Sequence, residues 1–200
     1  MNKQLLRLSA LFLTAIIFLI YGCKEKMPLV DDLSNKEYSL VDQDSNKVEF
    51  PQMAKGKITV TGYIFTNCPD ICPLTTNNMH RIQERVKKEN IKGVEFVTIS
   101  FDPEFDTPNI LKKYAEVRNL DLSNWTFLTG SKTTIDSLIK EVGVFAVVND
   151  STVFKNGKKI YYYVHTDRIQ LIDQDGKIRK NYHGSKINID EIIADIKKLS

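Results

Sequence analysis

Two β-branched, largely apolar runs, Ile58–Phe65 and Val94–Phe101, flank a stretch in which Met79, Ile82 and Val86 step by three and four. That change of period, from a buried run to a helical stripe and back, constrains the chain more than any other feature. It calls for strands and helices in alternation, layered on one another. The pattern continues downstream. Thr107 followed by Pro108 supplies a cap and a proline at the first helical position, and Ile110, Leu111, Tyr114 and Val117 mark one face. Trp125–Leu128 reads as a short strand. Ser131 opens a helix with the stripe Ile135, Leu138, Ile139 and Val142, which Gly143 ends. Lys158–Val164, Arg168–Asp173 and Lys177–His183 read as strands, the last two joined by Gln174-Asp175-Gly176, a hairpin signal. Asn188-x-x-Glu191 opens a final helix with Ile189, Ile192, Ile193, Ile196 and Leu199 on one side. Near the start, Tyr38–Val41 and Lys47–Phe50 flank a turn-rich segment and form a small hairpin.

This order makes a mixed α/β sandwich, and a thioredoxin-like central sheet with helices on both faces and an added N-terminal hairpin fits it. The expected domain covers residues 36–200, long enough to bury roughly 70% of its unfolded surface. Residues 24–35 are polar, lack periodicity and contain Pro28, so they are expected to form a flexible tether. Further upstream, Lys3 and Arg7 precede an uncharged run from Leu8 to Gly22. This is the layout of a signal peptide over residues 1–22, and its fifteen-residue uncharged run is shorter than the ~18–20 residues that span a bilayer. The run ends Ile20-Tyr21-Gly22-Cys23 and turns polar at Lys24-Glu25-Lys26, which resembles a bacterial lipoprotein lipobox. That resemblance implies a lipidated Cys23 and a domain on the extracytoplasmic side of the bacterial cell envelope, held to a membrane. The alternative is an uncleaved anchor with Cys23 idle.

Composition narrows the class. With 42% hydrophobic and 26% charged residues the chain suits one globular domain. A net charge of +3, with no run of five basic residues, gives no case for nucleic acid. Three cysteines are too few for a disulfide-dense scaffold.

The chemistry concentrates after the first buried strand, in Thr66-Asn67-Cys68-Pro69-Asp70-Ile71-Cys72-Pro73. Each cysteine precedes a proline, which disfavours the α region for it, and Pro73 suits a first helical position with Cys72 near the cap. The pair is therefore expected in a compact loop at a helix N-terminus, where the dipole and free N–H groups favour thiolate. Three readings fit two cysteines at this spacing: a structural disulfide, a redox dithiol, or a pair of metal ligands. So small a loop gains little from a structural bridge. Of the three histidines, His80 and His183 read as surface residues on a helix and at a strand end, while His165 stands at the mouth of a strand.

Three motifs add to this. Phe65-Thr66-Asn67-Cys68-Pro69-Asp70-Ile71-Cys72-Pro73 resembles the Cys-Pro-Asp-x-Cys-Pro signature of the Sco/SenC family. Asp102-Pro103-Glu104-Phe105-Asp106-Thr107-Pro108 is similar to its second signature, Asp-Pro-Glu-x-Asp-Thr-Pro, and His165-Thr166 precedes a strand ending in Asp173-Gln174-Asp175-Gly176 as in the family. The resemblance covers roughly Tyr38 to Lys198. It implies a thioredoxin-like protein in which Cys68, Cys72 and His165 bind one copper ion, Cu(I) or Cu(II), and which helps assemble the dinuclear copper centre of cytochrome c oxidase. The implied partners are the copper-binding oxidase subunit and an upstream copper donor or thiol reductant, with the carrier expected to be a monomer. Relatives often place an acidic residue just before the ligand histidine, where this chain has Val164. A carboxylate that orients the imidazole then has to come from elsewhere, Asp102 or Asp167, and Asp106 is expected to help cap the following helix.

Two thiolates and an imidazole suit soft or borderline metals, and three ligands leave a coordination position open. A disulfide between Cys68 and Cys72 cannot ligate, so thiol redox gates metal binding. The same dithiol supports a different function, thiol–disulfide exchange on the oxidase subunit, for which His165 is dispensable. A peroxidase reading is weaker, because Thr66 lies two residues before Cys68 and not three. Copper-occupancy sensing is a further alternative on which the residues are silent.

Overall fold

The computed structural model describes residues 27–154 and 159–200. The expected signal segment 1–22, Cys23 and residues 24–26 lie outside the described residues. Among the described residues, ten strands and four α-helices follow one another as β1 (Asp31–Asp32), β2 (Tyr38–Asp42), β3 (Lys47–Phe50), β4 (Ile58–Ile64), α1 (Ile71–Lys88), β5 (Val94–Ser100), α2 (Pro108–Val117), β6 (Trp125–Thr129), α3 (Lys132–Glu141), β7 (Ala146–Val153), β8 (Lys159–His165), β9 (Arg168–Ile172), β10 (Lys177–His183) and α4 (Ile189–Leu199). A single turn of 3₁₀ helix spans Gln52–Ala54.

Eight strands form one sheet in the order β1-β10-β9-β4-β5-β6-β2-β3. β4, β5 and β6 run parallel, and β9 joins β4 antiparallel. Every residue of β4 is buried, which explains a run with no polar alternation. The two sides of β4 carry different layers. Gly62 faces α1, where a Cβ would meet Met79 Sδ at 2.3 Å, so only glycine lets the helix lie this close. Tyr63 points the other way and donates to Gln170, whose amide reaches the Val142 carbonyl at the end of α3. Helices therefore cover both faces. α1 also meets α2 through Thr76 and Tyr114, whose hydroxyls lie 2.9 Å apart. Ser131 caps α3 by accepting from Thr134 N–H, and Asn188 caps α4 by accepting from Asp190 and Glu191 N–H. Gly143 ends the α3 turn at φ 68°.

The structure revises three expectations. Residues 27–35 are not a tether: β1 adds to β10, Val30 N–H donates to the Ile178 carbonyl, and Leu33 is fully buried. The segment's polar composition hides the fact that Met27 and Leu33 join the core while Leu29 and Val30 stay exposed. Leu33→Ala is accordingly expected to cost about 2–4 kcal/mol in a urea melt. A free tether would show no change. Second, Val117 is 70% exposed, and Ala115 takes its place on the buried face of α2. Third, β8 is shifted toward His165 relative to the expected 158–164, and it pairs with β7, a strand whose Asn149-Asp150-Ser151-Thr152 content reads as turn. Together they form a separate two-stranded arm, with a register shift between Val148 and Asp150.

Candidate metal centre

The cysteine pair sits at the C-terminal end of β4, where parallel strands open onto a binding crevice. α1 begins at Ile71, with Asp70 as its N-cap residue, so Cys72 lies in the first turn and Pro73 follows it there. First-turn N–H groups have no partner within the helix. The Cys72 N–H instead donates to Cys68 Sγ at 3.5 Å, and Cys68 N–H donates to the Phe65 carbonyl at 3.3 Å. Both cysteines are free thiols, Cys72 fully buried and Cys68 9% exposed.

His165 reaches this loop from 93 positions downstream, at the end of the β7–β8 arm opposite Ala146. Its Nε2 lies 3.7 Å from Cys72 Sγ. The ring rests on Phe101 and Phe65, with centroids 4.9 and 6.1 Å away. Its Nδ1 lies 3.1 Å from the Thr166 carbonyl, an oxygen that can only accept, so Nδ1 carries a proton and, in the neutral ring, the Nε2 lone pair faces the sulfurs. One donor atom from each of Cys68, Cys72 and His165 falls within 4.8 Å of the other two. Phe65, Pro69, Ile71, Tyr162, Tyr163 and Val164 line the groove around them.

The cluster polarises its own thiols. The Cys72 S–H bond to Cys68 holds the Cys68 thiol well below its ordinary value; burial opposes this, and His165 adds to it. The same bond, with burial and the Cys68 charge, pushes Cys72 up. Burial pulls His165 down, but its bonds to Cys68 and to the Thr166 carbonyl outweigh that and leave it raised. Cys68 is therefore the thiolate of the pair. Iodoacetamide at pH 6 is expected to modify Cys68 and spare Cys72, as read by peptide mass; first labelling at Cys72 would reverse the assignment.

The carboxylates named from the sequence lie elsewhere than expected. Asp102 is buried but accepts from Tyr161 Oη at 2.5 Å and Tyr163 Oη at 3.3 Å, and it does not orient the imidazole. Burial raises its carboxyl, with the tyrosine bonds opposing. Asp106 does not cap α2 through its side chain; the cap residue is Thr107, with no side-chain bond. Its fully buried carboxylate instead accepts from Thr66 N–H at 3.0 Å, from the Thr66 hydroxyl and from the Ser100 hydroxyl at 2.5 Å. Asp106 thus braces the residue two before Cys68. Asp167 likewise makes no hydrogen bond to the His165 ring. His80 lies on α1 3.8 Å from Glu84, and His183 is exposed beside Asp167, so both surface expectations hold. Sequence reasoning missed Tyr161 and Tyr163. Their alternation with His165 was the available signal, since i, i+2 and i+4 share one face of a strand.

The chain matches known proteins over this same region. The SCO1/SenC family model aligns with residues 28–200. A SCO1/SenC family lipoprotein from Bacillus anthracis is similar at 34% identity and a TM-score of 0.71, covering 88% of this chain and 98% of that one. BsSco, described as a member of the Sco family of cytochrome c oxidase assembly proteins with a disulfide switch, is 33% identical with a TM-score of 0.70, over 87% and 96%. ScoI of Bradyrhizobium japonicum, solved with copper bound, is 29% identical with a TM-score of 0.67, over 82% and 98%. The motifs, the thioredoxin-like fold and the family match agree, and the chain belongs to the SCO1/SenC family.

Proposed function

We propose that this chain is a copper carrier of the bacterial envelope, tethered through a lipidated Cys23, that delivers its ion during assembly of the dinuclear copper centre of cytochrome c oxidase. One observation carries the reading: Cys68, Cys72 and His165 converge within 4.8 Å although no fourth His, Cys or carboxylate joins them among the described residues. Two sulfurs and one nitrogen suit copper, and a three-donor set leaves room for an incoming ligand from the recipient. Copper in the Bradyrhizobium relative and oxidase assembly in the description of BsSco support the cargo and the recipient. The relative described as a lipoprotein supports the anchor. An external disulfide that accepts two electrons, and is itself reduced to two thiols, would oxidise the Cys68 thiolate and the Cys72 thiol to a disulfide with release of the Cys72 proton; that bridge has no thiolate to offer, so the thiol state gates loading.

Anaerobic titration of the reduced protein with copper should reach one ion per chain. The loaded protein should show sulfur-to-Cu(II) charge-transfer bands and nitrogen coupling in electron-spin resonance. Weak oxygen- and nitrogen-type signals alone would overturn the reading. The second reading, thiol–disulfide exchange on the oxidase subunit, is favoured by the polarised Cys68–Cys72 pair. In it the Cys68 thiolate attacks a partner disulfide, and Cys72 then resolves the mixed disulfide, leaving the partner's two thiols reduced and this pair oxidised. Reductase activity that survives His165→Ala, in a protein that binds no copper, would favour this second role.

A further inference from the structure

We propose that Asp167 is a positioning residue that sets the aim and tautomer of His165 by pinning the Thr166–Asp167 peptide to the helix that carries Cys72. Its side chain is only 8% exposed and collects donors from two other segments. The Thr75 hydroxyl, on α1 one turn beyond the cysteine, donates at 3.0 Å. The Ser185 N–H donates to both carboxylate oxygens at 3.0 Å and its hydroxyl to Oδ2 at 2.6 Å, and His183 Nδ1 lies 2.7 Å from the same Oδ2.

A second observation is independent of the carboxylate's own bonds. Gly184 has no room for a side chain: a Cβ there would lie 2.5 Å from Asp167 Oδ1 and 2.8 Å from Thr75 Oγ1. Asn78 Nδ2 on α1 donates to the Gly184 carbonyl at 2.8 Å. Three segments therefore close around this carboxylate, and the glycine permits the closure.

The consequence runs through one peptide group. The carbonyl that receives the His165 Nδ1–H belongs to Thr166, and its peptide nitrogen belongs to Asp167. The other side of Thr166 is held by the base of the arm, where its N–H donates to the Phe145 carbonyl at 2.8 Å and its hydroxyl accepts from Phe145 N–H at 3.0 Å. With Asp167 fixed, the plane of that carbonyl is fixed, and Nε2 keeps its lone pair toward the sulfurs. Released, the peptide can turn, and the imidazole can carry its proton on Nε2, where it cannot ligate. Val164 carries no hydrogen-bonding side chain, and Asp102 is engaged by Tyr161 and Tyr163, so neither does this work.

The inference rests on the proposed ligand role of His165 only for its effect on copper; the tautomer is read without metal. Long-range ¹H–¹⁵N spectra of the reduced, metal-free protein, recorded at alkaline pH where the ring is neutral, should show His165 as the Nδ1–H tautomer. Asp167→Ala should convert it to a mixture, and Cu(I) affinity, measured by competition with a chromophoric chelator, should fall about tenfold or more. Asp167→Asn, which keeps one acceptor oxygen, should lie between. Thr75→Val, which deletes a single hydroxyl, should shift the tautomer in the same direction and serves if Asp167→Ala does not fold. His80 is the internal control. A wild-type tautomer ratio in these variants overturns the proposal, whatever happens to their stability. If the wild-type protein binds no copper, the carrier reading falls while the tautomer comparison still decides this one.

Discussion

Cys72→Ala is expected to abolish stoichiometric copper binding, with affinity falling by more than about 100-fold, the upper end of what losing a supporting residue costs a metal site. Three donors hold the ion in the proposed site, and none of the other described His, Cys, Asp or Glu side chains is placed to substitute. The fold should tolerate the change, because sulfur-to-hydrogen replacement in the first turn of α1 leaves backbone, helix and core in place. Cys72 also supplies the S–H and N–H groups that favour thiolate at Cys68, so the remaining sulfur should become a poorer ligand. His165→Ala should weaken binding less, since both sulfurs survive, and should remove nitrogen coupling from the resonance spectrum. Chelator competition checks both variants. Near-wild-type affinity in Cys72→Ala would remove the proposed site.

The second large effect is expected at Asp106. Asp106→Ala leaves the Thr66 N–H, the Thr66 hydroxyl and the Ser100 hydroxyl without their acceptor, with Asp106 and Ser100 fully buried and Thr66 half-buried. Each buried orphan costs about 1–3 kcal/mol, so a total loss of about 3–5 kcal/mol is expected in urea or thermal unfolding. Asp106→Asn should recover part of this, because one carbonyl oxygen still accepts and no charge is buried. Burial already pushes the Asp106 carboxyl up, which marks the ionised form as costly and the hydrogen bonds as what retains it. A loss below about 1 kcal/mol in the alanine variant would mean that Thr66 finds another partner.

Much of this architecture was legible in advance because it rests on local signals. Ser131 and Asn188 announce helix starts through short side chains that cap backbone N–H groups, and β4 and β5 announce burial through unbroken β-branched runs. The grouping of Cys68, Cys72 and His165 as proposed ligands was legible through motif resemblance; spacing alone left the cysteine pair with three readings. What escaped was non-local. The segment 27–35 looks like linker because its pairing partner, β10, lies some 145 positions away. β7 is built from turn-prone residues and exists because β8 offers it a hydrogen-bonding edge. Asp102 and Asp167 were identified as candidates to orient the imidazole and Asp106 as a helix cap, but their partners depend on which hydroxyls the fold brings to them. Asp102 found two tyrosines, Asp106 a threonine and a serine, and Asp167 a helix.

The donor set is split between a rigid loop and a distant hairpin, and this has a thermodynamic corollary. An ion gripped by Cys72 and His165 together acts as a removable cross-link closing a chain segment of 93 residues. In the chain-entropy treatment, a closure of that length disfavours the unfolded ensemble by about 4–5 kcal/mol. In the proposed carrier, handing the ion on would remove that constraint, and the emptied protein would be the easier of the two forms to unfold.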